Sequence, residues 1–200
     1  FPDEICSKIL LYAFKSPHTH LQEEIFKRAM PPDIYQTVVK KGGIVKDAQG
    51  HITKVCVWDI PNERALIDDA EKKSIQFDIQ TLHELRNLTQ FDLYSTGVFG
   101  DIQVLQGLQT LVAFNLNYTG VFGDIQVLQC LQNLTEFYLS NALVTGDIQV
   151  LQGLPHLSAF NLAGAGVFGD IQVLQGLQHL IQVDLGNTRV TGDIISLKSM

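Results

Sequence analysis

The sequence predicts an α/β repeat fold: a right-handed solenoid with parallel strands on its concave face, helical or 3₁₀ turns on its convex face, and a helical cap at the N-terminal end. Three observations carry this. Gly-Asp-Ile begins at Gly100, Gly123, Gly146, Gly169 and Gly192, a constant step of 23 residues. Apolar residues recur inside each step at fixed spacing, as at Leu105, Leu108, Leu111, Phe114 and Leu116. Residues 1–41 lack that period and carry helix signals instead. A fixed period of roughly 20–29 residues marks stacked units, none of which can bury its apolar face alone.

The cap comes first, over residues 1–43. Pro2-Asp3-Glu4 places proline and acids where a helix begins, and Ile5, Ile9 and Leu10 follow on one side. Ser16-Pro17 ends that helix. A second, with Leu21, Ile25 and Phe26 on one side, runs to Pro31-Pro32. A third, from about Ile34 to Lys40, stops at Gly42-Gly43, with Lys40 and Lys41 suited to its C-terminal dipole. Three short amphipathic helices bury little alone and are expected to pack on the first repeat.

Residues 44–81 form a capping hairpin and the first repeat. Two β-rich runs, from Ile44 and from Ile52 to Val57, flank turn residues between Asp47 and Gly50. The second run doubles as the first strand of the solenoid. Val57 precedes the Asp-Ile slot at Phe77-Asp78-Ile79 by more than the regular spacing, so an insertion falls within Asp59 to Ser74. It is charged, with Glu63, Arg64, Asp68, Asp69, Glu71, Lys72 and Lys73, and predicts a surface loop or short helix. Residues 82–200 are the regular repeats, starting at Leu82, Leu105, Leu128, Leu151 and Leu174 and breaking off within a unit. Phe91/Leu93, Phe114/Leu116, Phe137/Leu139, Phe160/Leu162 and Val183/Leu185 are the inward strand pairs.

The apolar positions Leu82, Leu85, Leu88, Phe91, Leu93, Val98, Gly100 and Ile102, repeated four more times, resemble the plant-type subclass of leucine-rich repeats. The resemblance covers about residues 51–200 and implies a solenoid that works by binding. Two departures stand out. The subclass's asparagine-ladder slot holds Thr96, Thr119, Ala142, Ala165 and Thr188, and the paired cysteines that cap secreted plant receptors are absent. The near-identical Gly-Asp-Ile-Gln-Val-Leu-Gln tracts resemble recently duplicated arrays of unicellular photosynthetic eukaryotes. A shorter resemblance lies at the N-terminus, where Phe1-Pro2-Asp3-Glu4-Ile5 through Ile9-Leu10 is similar to the opening of an F-box. That implies an adaptor-binding helix of a cullin-type ubiquitin ligase; the alternative is an ordinary Pro-capped cap helix.

Composition narrows the function. The chain of 200 residues carries a formal charge of −7. Residues 1–42 hold six Lys/Arg against five Asp/Glu, leaving eight against sixteen in the rest. An acidic solenoid lacks the dense basic stripe that a nucleic-acid backbone requires. No run is long and apolar enough to span a bilayer, and no secretory signal is read. Cys6, Cys56 and Cys130 have no pair spacing, which favours a reducing, intracellular compartment. Cys130 replaces the Gly107, Gly153 and Gly176 of sister repeats and reads as a small buried hydrophobe. Phe1 is not Met and Met200 falls inside a repeat, so a fragment or processed form is expected.

No catalytic or cofactor constellation is legible. The six histidines are scattered, and none has a nucleophile or paired carboxylate at a working distance in sequence. The column Asp78, Asp101, Asp124, Asp147, Asp170 and Asp193 is read as helix caps rather than a Ca²⁺ site, because each Asp precedes a helical-turn sequence. Gln103 and Gln106 and their equivalents form a neutral, solvated convex face. Phe99, Phe122, Thr145, Phe168 and Thr191 are expected to make a packing spine. The concave columns are the ones the repeat does not dictate: Asp92, Asn115, Tyr138, Asn161 and Asp184, then Tyr94 and Asn117, then Tyr118 and Asn141. They describe a polar, mildly acidic strand face with tyrosines toward its N-terminal half, a composition favoured where proteins meet. The expected function is a non-enzymatic interaction module or scaffold with a protein partner and no cofactor or metal; the alternative is an accessory subunit of a larger assembly.

Overall fold

The computed structural model describes residues 22, 24, 26–28, 30–59, 64–65 and 68–193. The F-box-like segment at residues 1–10 lies outside them. Helix α1 (Pro32–Lys40) begins on a proline whose missing N–H would have no partner there anyway, with Asp33 in its first turn and Lys40 in its last. It ends in a Schellman turn: the Gly42 N–H donates to Val39 and the Gly43 N–H to Val38, with Gly42 at φ 78°. Ile34, Tyr35 and Val38 of this helix join Phe26 and Met30 in the same hydrophobic core as the repeats.

Strands β1 (Ile44–Lys46) and β2 (Ile52–Cys56) form an antiparallel hairpin, with Ile44 opposite Val55. The Asp47 carboxylate closes its turn by accepting the N–H groups of Gln49 and His51, at 3.0 and 2.8 Å. The insertion contains a two-residue hairpin, β3 (Trp58–Asp59) with β4 (Arg64–Ala65), and helix α2 (Asp69–Ser74). A capping box starts α2: Asp68 accepts from the Glu71 N–H, and Glu71 accepts from the Asp68 N–H.

From there the chain coils. Strands β5 (Gln90–Asp92), β7 (Ala113–Asn115), β9 (Glu136–Tyr138), β11 (Ala159–Asn161) and β13 (Gln182–Asp184) stack in parallel on β2 to make a seven-stranded sheet. Their register places Phe91, Phe114, Phe137 and Phe160 in one buried file, with ring centroids 5.4, 5.8 and 5.4 Å apart and planes within 23°. Offset stacks of this kind add to the burial energy of each ring. Across the core, 3₁₀ helices run over Ile79–Glu84, Ile102–Gly107, Ile125–Cys130, Ile148–Gly153 and Ile171–Gly176. Each starts on the expected Asp, whose side chain accepts the N–H two residues on, from Asp78→Gln80 through Asp170→Gln172. Two of the convex glutamines bond within their own repeat, Gln103 Nε2 to Gln106 Oε1 at 2.6 Å and Gln126 to Gln129 at 2.7 Å, while Gln80 Nε2 donates to the Asp101 carbonyl of the next repeat at 2.9 Å.

A second parallel sheet, which the sequence reading did not foresee, links the two faces: β6 (Phe99–Asp101), β8 (Gly120–Asp124), β10 (Leu143–Asp147), β12 (Gly166–Asp170) and β14 (Arg189–Thr191). It overturns the packing-spine expectation. Successive strand residues point to opposite faces, so Val121, Val144 and Val167 turn into the core while Phe99, Phe122 and Phe168 stand outside, nearly half exposed. Cys130 also departs from expectation. It ends a 3₁₀ helix at the surface and is only partly buried.

Candidate binding surface

The residues named on the concave face do two jobs that the sequence alone did not separate. Asp92, Asn115, Asn161 and Asp184 close each strand, and Oδ1 of each accepts the backbone N–H two residues on, from Tyr94, Asn117, Ala163 and Gly186 at 2.9–3.1 Å. These are Asx turns, and they satisfy a donor that the strand has left behind. Tyr138 occupies the same slot in the middle repeat and has no such oxygen. There the Ser140 N–H turns instead to Oδ1 of Asn117 in the preceding repeat, at 2.6 Å. In the ladder slot itself, the hydroxyls of Thr96, Thr119 and Thr188 donate to the carbonyls of Leu93, Leu116 and Leu185. The backbone satisfaction that an asparagine would provide is thus divided between two columns.

The amide groups of Asn115 and Asn161 point away from each other, toward acids at the two ends. Asn115 Nδ2 donates to Asp92 Oδ2 at 3.2 Å and Asn161 Nδ2 to Asp184 Oδ2 at 3.3 Å. Tyr138 stands between them and donates its hydroxyl to Glu136 at 3.3 Å. Burial, reinforced by the neighbouring Glu136 carboxylate, pushes the Tyr138 hydroxyl up to about 12, so it remains a donor. Asp92 is only 2% exposed. Desolvation raises its carboxyl to about 6, against the opposing pull of the Tyr94 N–H, Asn115 and the lysines Lys72 and Lys54.

Tyr94, Asn115, Asn117, Tyr138 and Asn161 line a single open depression of about 390 Å³. Tyr118 packs edge-on against Tyr94, ring centroids 5.7 Å apart, and is 53% exposed. Asn141 is exposed too, with its amide on Ser140 Oγ. One expectation is corrected here. Tyr118 and Asn141 are not strand residues but sit in left-handed turns just beyond the strands, at φ 57° and 54°, as do Ser95 and Asn187. The chain must reverse there to leave the concave sheet, and the tight turn lifts those side chains to the rim. Asp92 and Asp184 do not line the depression: one is buried, the other exposed on β13, the last strand of the concave sheet.

Sequence reasoning missed Lys72. It comes from the insertion, outside the repeat register, yet its ammonium lies 5.5 Å from the Tyr94 ring centroid and 2.8 Å from Asp69. The charged run in the insertion read only as a surface loop or short helix, with no sign that it reached the concave sheet. Among the described residues, no group of three His, Cys, Asp or Glu side chains is placed to hold a metal ion, and no helix is long and apolar enough to cross a membrane.

No family model and no curated protein matches the sequence. Solved structures do match. The chain superposes on the PEPR1–AtPEP1 structure with a TM-score of 0.66 at 18% identity, over 89% of this chain and 27% of that one. It matches the LRR ectodomain of the Arabidopsis thaliana receptor kinase SOBIR1 at 0.61 and 16% identity, over 75% and 82% of the two chains. It matches the Arabidopsis HAESA ectodomain, solved with an IDA peptide hormone, at 0.63 and 17%, over 88% and 30%. The chain therefore spans under a third of PEPR1 and HAESA but most of SOBIR1. Its two parallel sheets joined by 3₁₀ turns are the leucine-rich repeat fold.

Proposed function

We propose that this chain is a non-enzymatic protein-binding module that takes its partner on the concave face. One observation carries the reading. The convex tracts are nearly identical from repeat to repeat, whereas the concave columns vary between Asp, Asn and Tyr in one slot and between Tyr, Asn, Ser, Ala and Gly in the next, and the depression gathers tyrosines beside amide groups. Tyrosine offers large rigid contact area at low entropic cost, and amides adapt their hydrogen bonding. The similarity to PEPR1–AtPEP1 and to HAESA with its peptide hormone supports the reading by analogy of fold. Replacing Tyr94, Tyr118 and Tyr138 together by Ala is expected to abolish partner capture in pulldowns while leaving the far-UV circular dichroism spectrum intact. Unchanged capture would remove the concave face from consideration.

A second reading, an accessory subunit of a larger assembly, draws on the phenylalanines exposed on the second sheet. Native mass separates the two: a monomer that captures a ligand supports the module, and a chain found only within a complex supports the subunit. The F-box alternative rests on residues 1–10 alone.

A further inference from the structure

The outer face of the second sheet is built differently from the concave one. Phe99, Phe122 and Phe168 are 49%, 47% and 43% exposed, and Leu143, directly opposite Phe122 in the register, is 69% exposed. Single exposed apolar residues are ordinary, but four on one sheet face form a patch. Strand alternation puts Asp101, Asp124, Asp147 and Asp170 on the same face, two residues further along each chain path. Each of these carboxylates gives Oδ1 to its cap, and Oδ2 has no hydrogen-bond partner among the described residues. An apolar row is thus edged by an acidic row. On the other edge the same slot holds Gly120, the exposed Leu143, Gly166 and Arg189 in turn. The chain itself shows what charge the face accepts: Arg189 lays its guanidinium 5.7 Å from the Phe168 ring centroid and donates to the Gly166 carbonyl at 2.9 Å.

We propose that this face docks a basic amphipathic helix of a protein partner, independently of the concave surface. Five strands at about 4.8 Å spacing give a length of about 19 Å, and a crossing of four residues gives a width of about 13 Å. A helix about 10–12 Å wide and about 13 residues long covers that area. Its leucine-like stripe lies on the phenyl row and its Lys or Arg residues on the aspartates. A second copy of this chain is the poorer occupant, because it brings the same aspartate row and a net charge of −7 to the face instead of the basic residues that would neutralise it.

The test is a fluorescence-anisotropy titration with a synthetic Leu/Lys helix of about 14 residues, leucines at i, i+3, i+4 and i+7. Phe99→Thr, Phe122→Thr and Phe168→Thr together should weaken binding by about tenfold or more. Thr already fills that slot at Thr145 and Thr191, so the fold tolerates it. Asp→Asn at the four aspartates should weaken binding similarly, since Asn keeps the caps and removes only charge. The Tyr94/Tyr118/Tyr138 alanine variant should bind the helix unchanged. Three results would overturn the proposal: an equal affinity for a scrambled peptide of the same composition, unchanged binding by the Thr variant, or loss of binding by the tyrosine variant. A wild-type dimer in sedimentation that the Thr variant loses would overturn it too, by assigning the face to a second copy.

Discussion

Asp92 shows how much a single slot in the repeat can carry. Its equivalents Asn115 and Asn161 make the same Asx turn without a charge, so the carboxylate is not needed for that hydrogen bond. Burial holds its folded-state value at about 6, above the roughly 3.9 of an unfolded aspartate. The folded protein therefore binds the proton more tightly than the unfolded chain does. Stability from this group is fully present below about pH 4 and is lost as pH rises through about 6. Asp92→Asn should remove that loss: the variant is expected to be about 2 kcal/mol more stable than the parent at pH 7.5 and equal to it near pH 4. Urea titrations at the two pH values decide it, and a variant less stable at pH 7.5 would show that the ionised form is held mainly by Lys72 and Lys54. The sequence placed Asp92 in the concave column but gave no sign of its burial, because its surroundings include groups outside the repeat register, such as Lys72, whose charge acts on it.

Among the elements, the strand-to-3₁₀ junction explains why Gly-Asp-Ile is the constant part of the repeat. The Asp was legible as a cap, since only an N-cap oxygen followed by a helical turn explains its place. The Gly was read as part of the pattern without a cause. Gly146 lies at φ 126°, where L side chains are rarely found, and a methyl group there would meet the carboxylate and ring of contacts made by Asp124 and Ile125 in the previous repeat. The glycine of each unit thus makes room for the cap of the unit before it, a relation between repeats that a one-dimensional pattern conceals. Gly146→Ala should cost about 2–4 kcal/mol in urea unfolding. Asp124→Ala alone should cost about 1 kcal/mol through the lost cap. Together they should cost less than the sum, because removing the carboxylate relieves part of the methyl clash. Strict additivity would mean that the backbone angle alone sets the penalty. The second sheet was hidden for a related reason: β6 is three residues long and β8, β10 and β12 only five, each with the repeat's glycine inside it, too short and too broken for alternation to declare a strand.

At the scale of the whole molecule, the stacking order and the core were readable because each buried leucine recurs at a fixed step, and the helix Pro32–Lys40 and the hairpin after it were readable from local signals, but the way the cap is fastened to the repeats was not, because nothing repeats there. The cap is attached by Gln22, a residue with no periodic signal. It is 4% exposed, its Oε1 accepts the Ile52 N–H of β2 at 3.0 Å, and its Nε2 donates to the Glu84 carbonyl at 3.0 Å. One side chain therefore ties the cap both to the concave sheet and to the first convex turn. Gln22→Ala leaves a buried donor and an acceptor without partners, at a cost of about 2–4 kcal/mol. A solenoid is stabilised repeat by repeat through nearest neighbours, so the damage should stay near its source. In hydrogen exchange, amides of β2 and of Ile79–Glu84 should lose protection, while those of β9 and β11, held between repeats by the phenylalanine stack, should keep theirs. Uniform loss across all strands would show that the cap and repeats unfold as one cooperative unit, and unchanged exchange at β2 would show that apolar packing of Phe26, Met30 and Ile34 holds the cap without the clip.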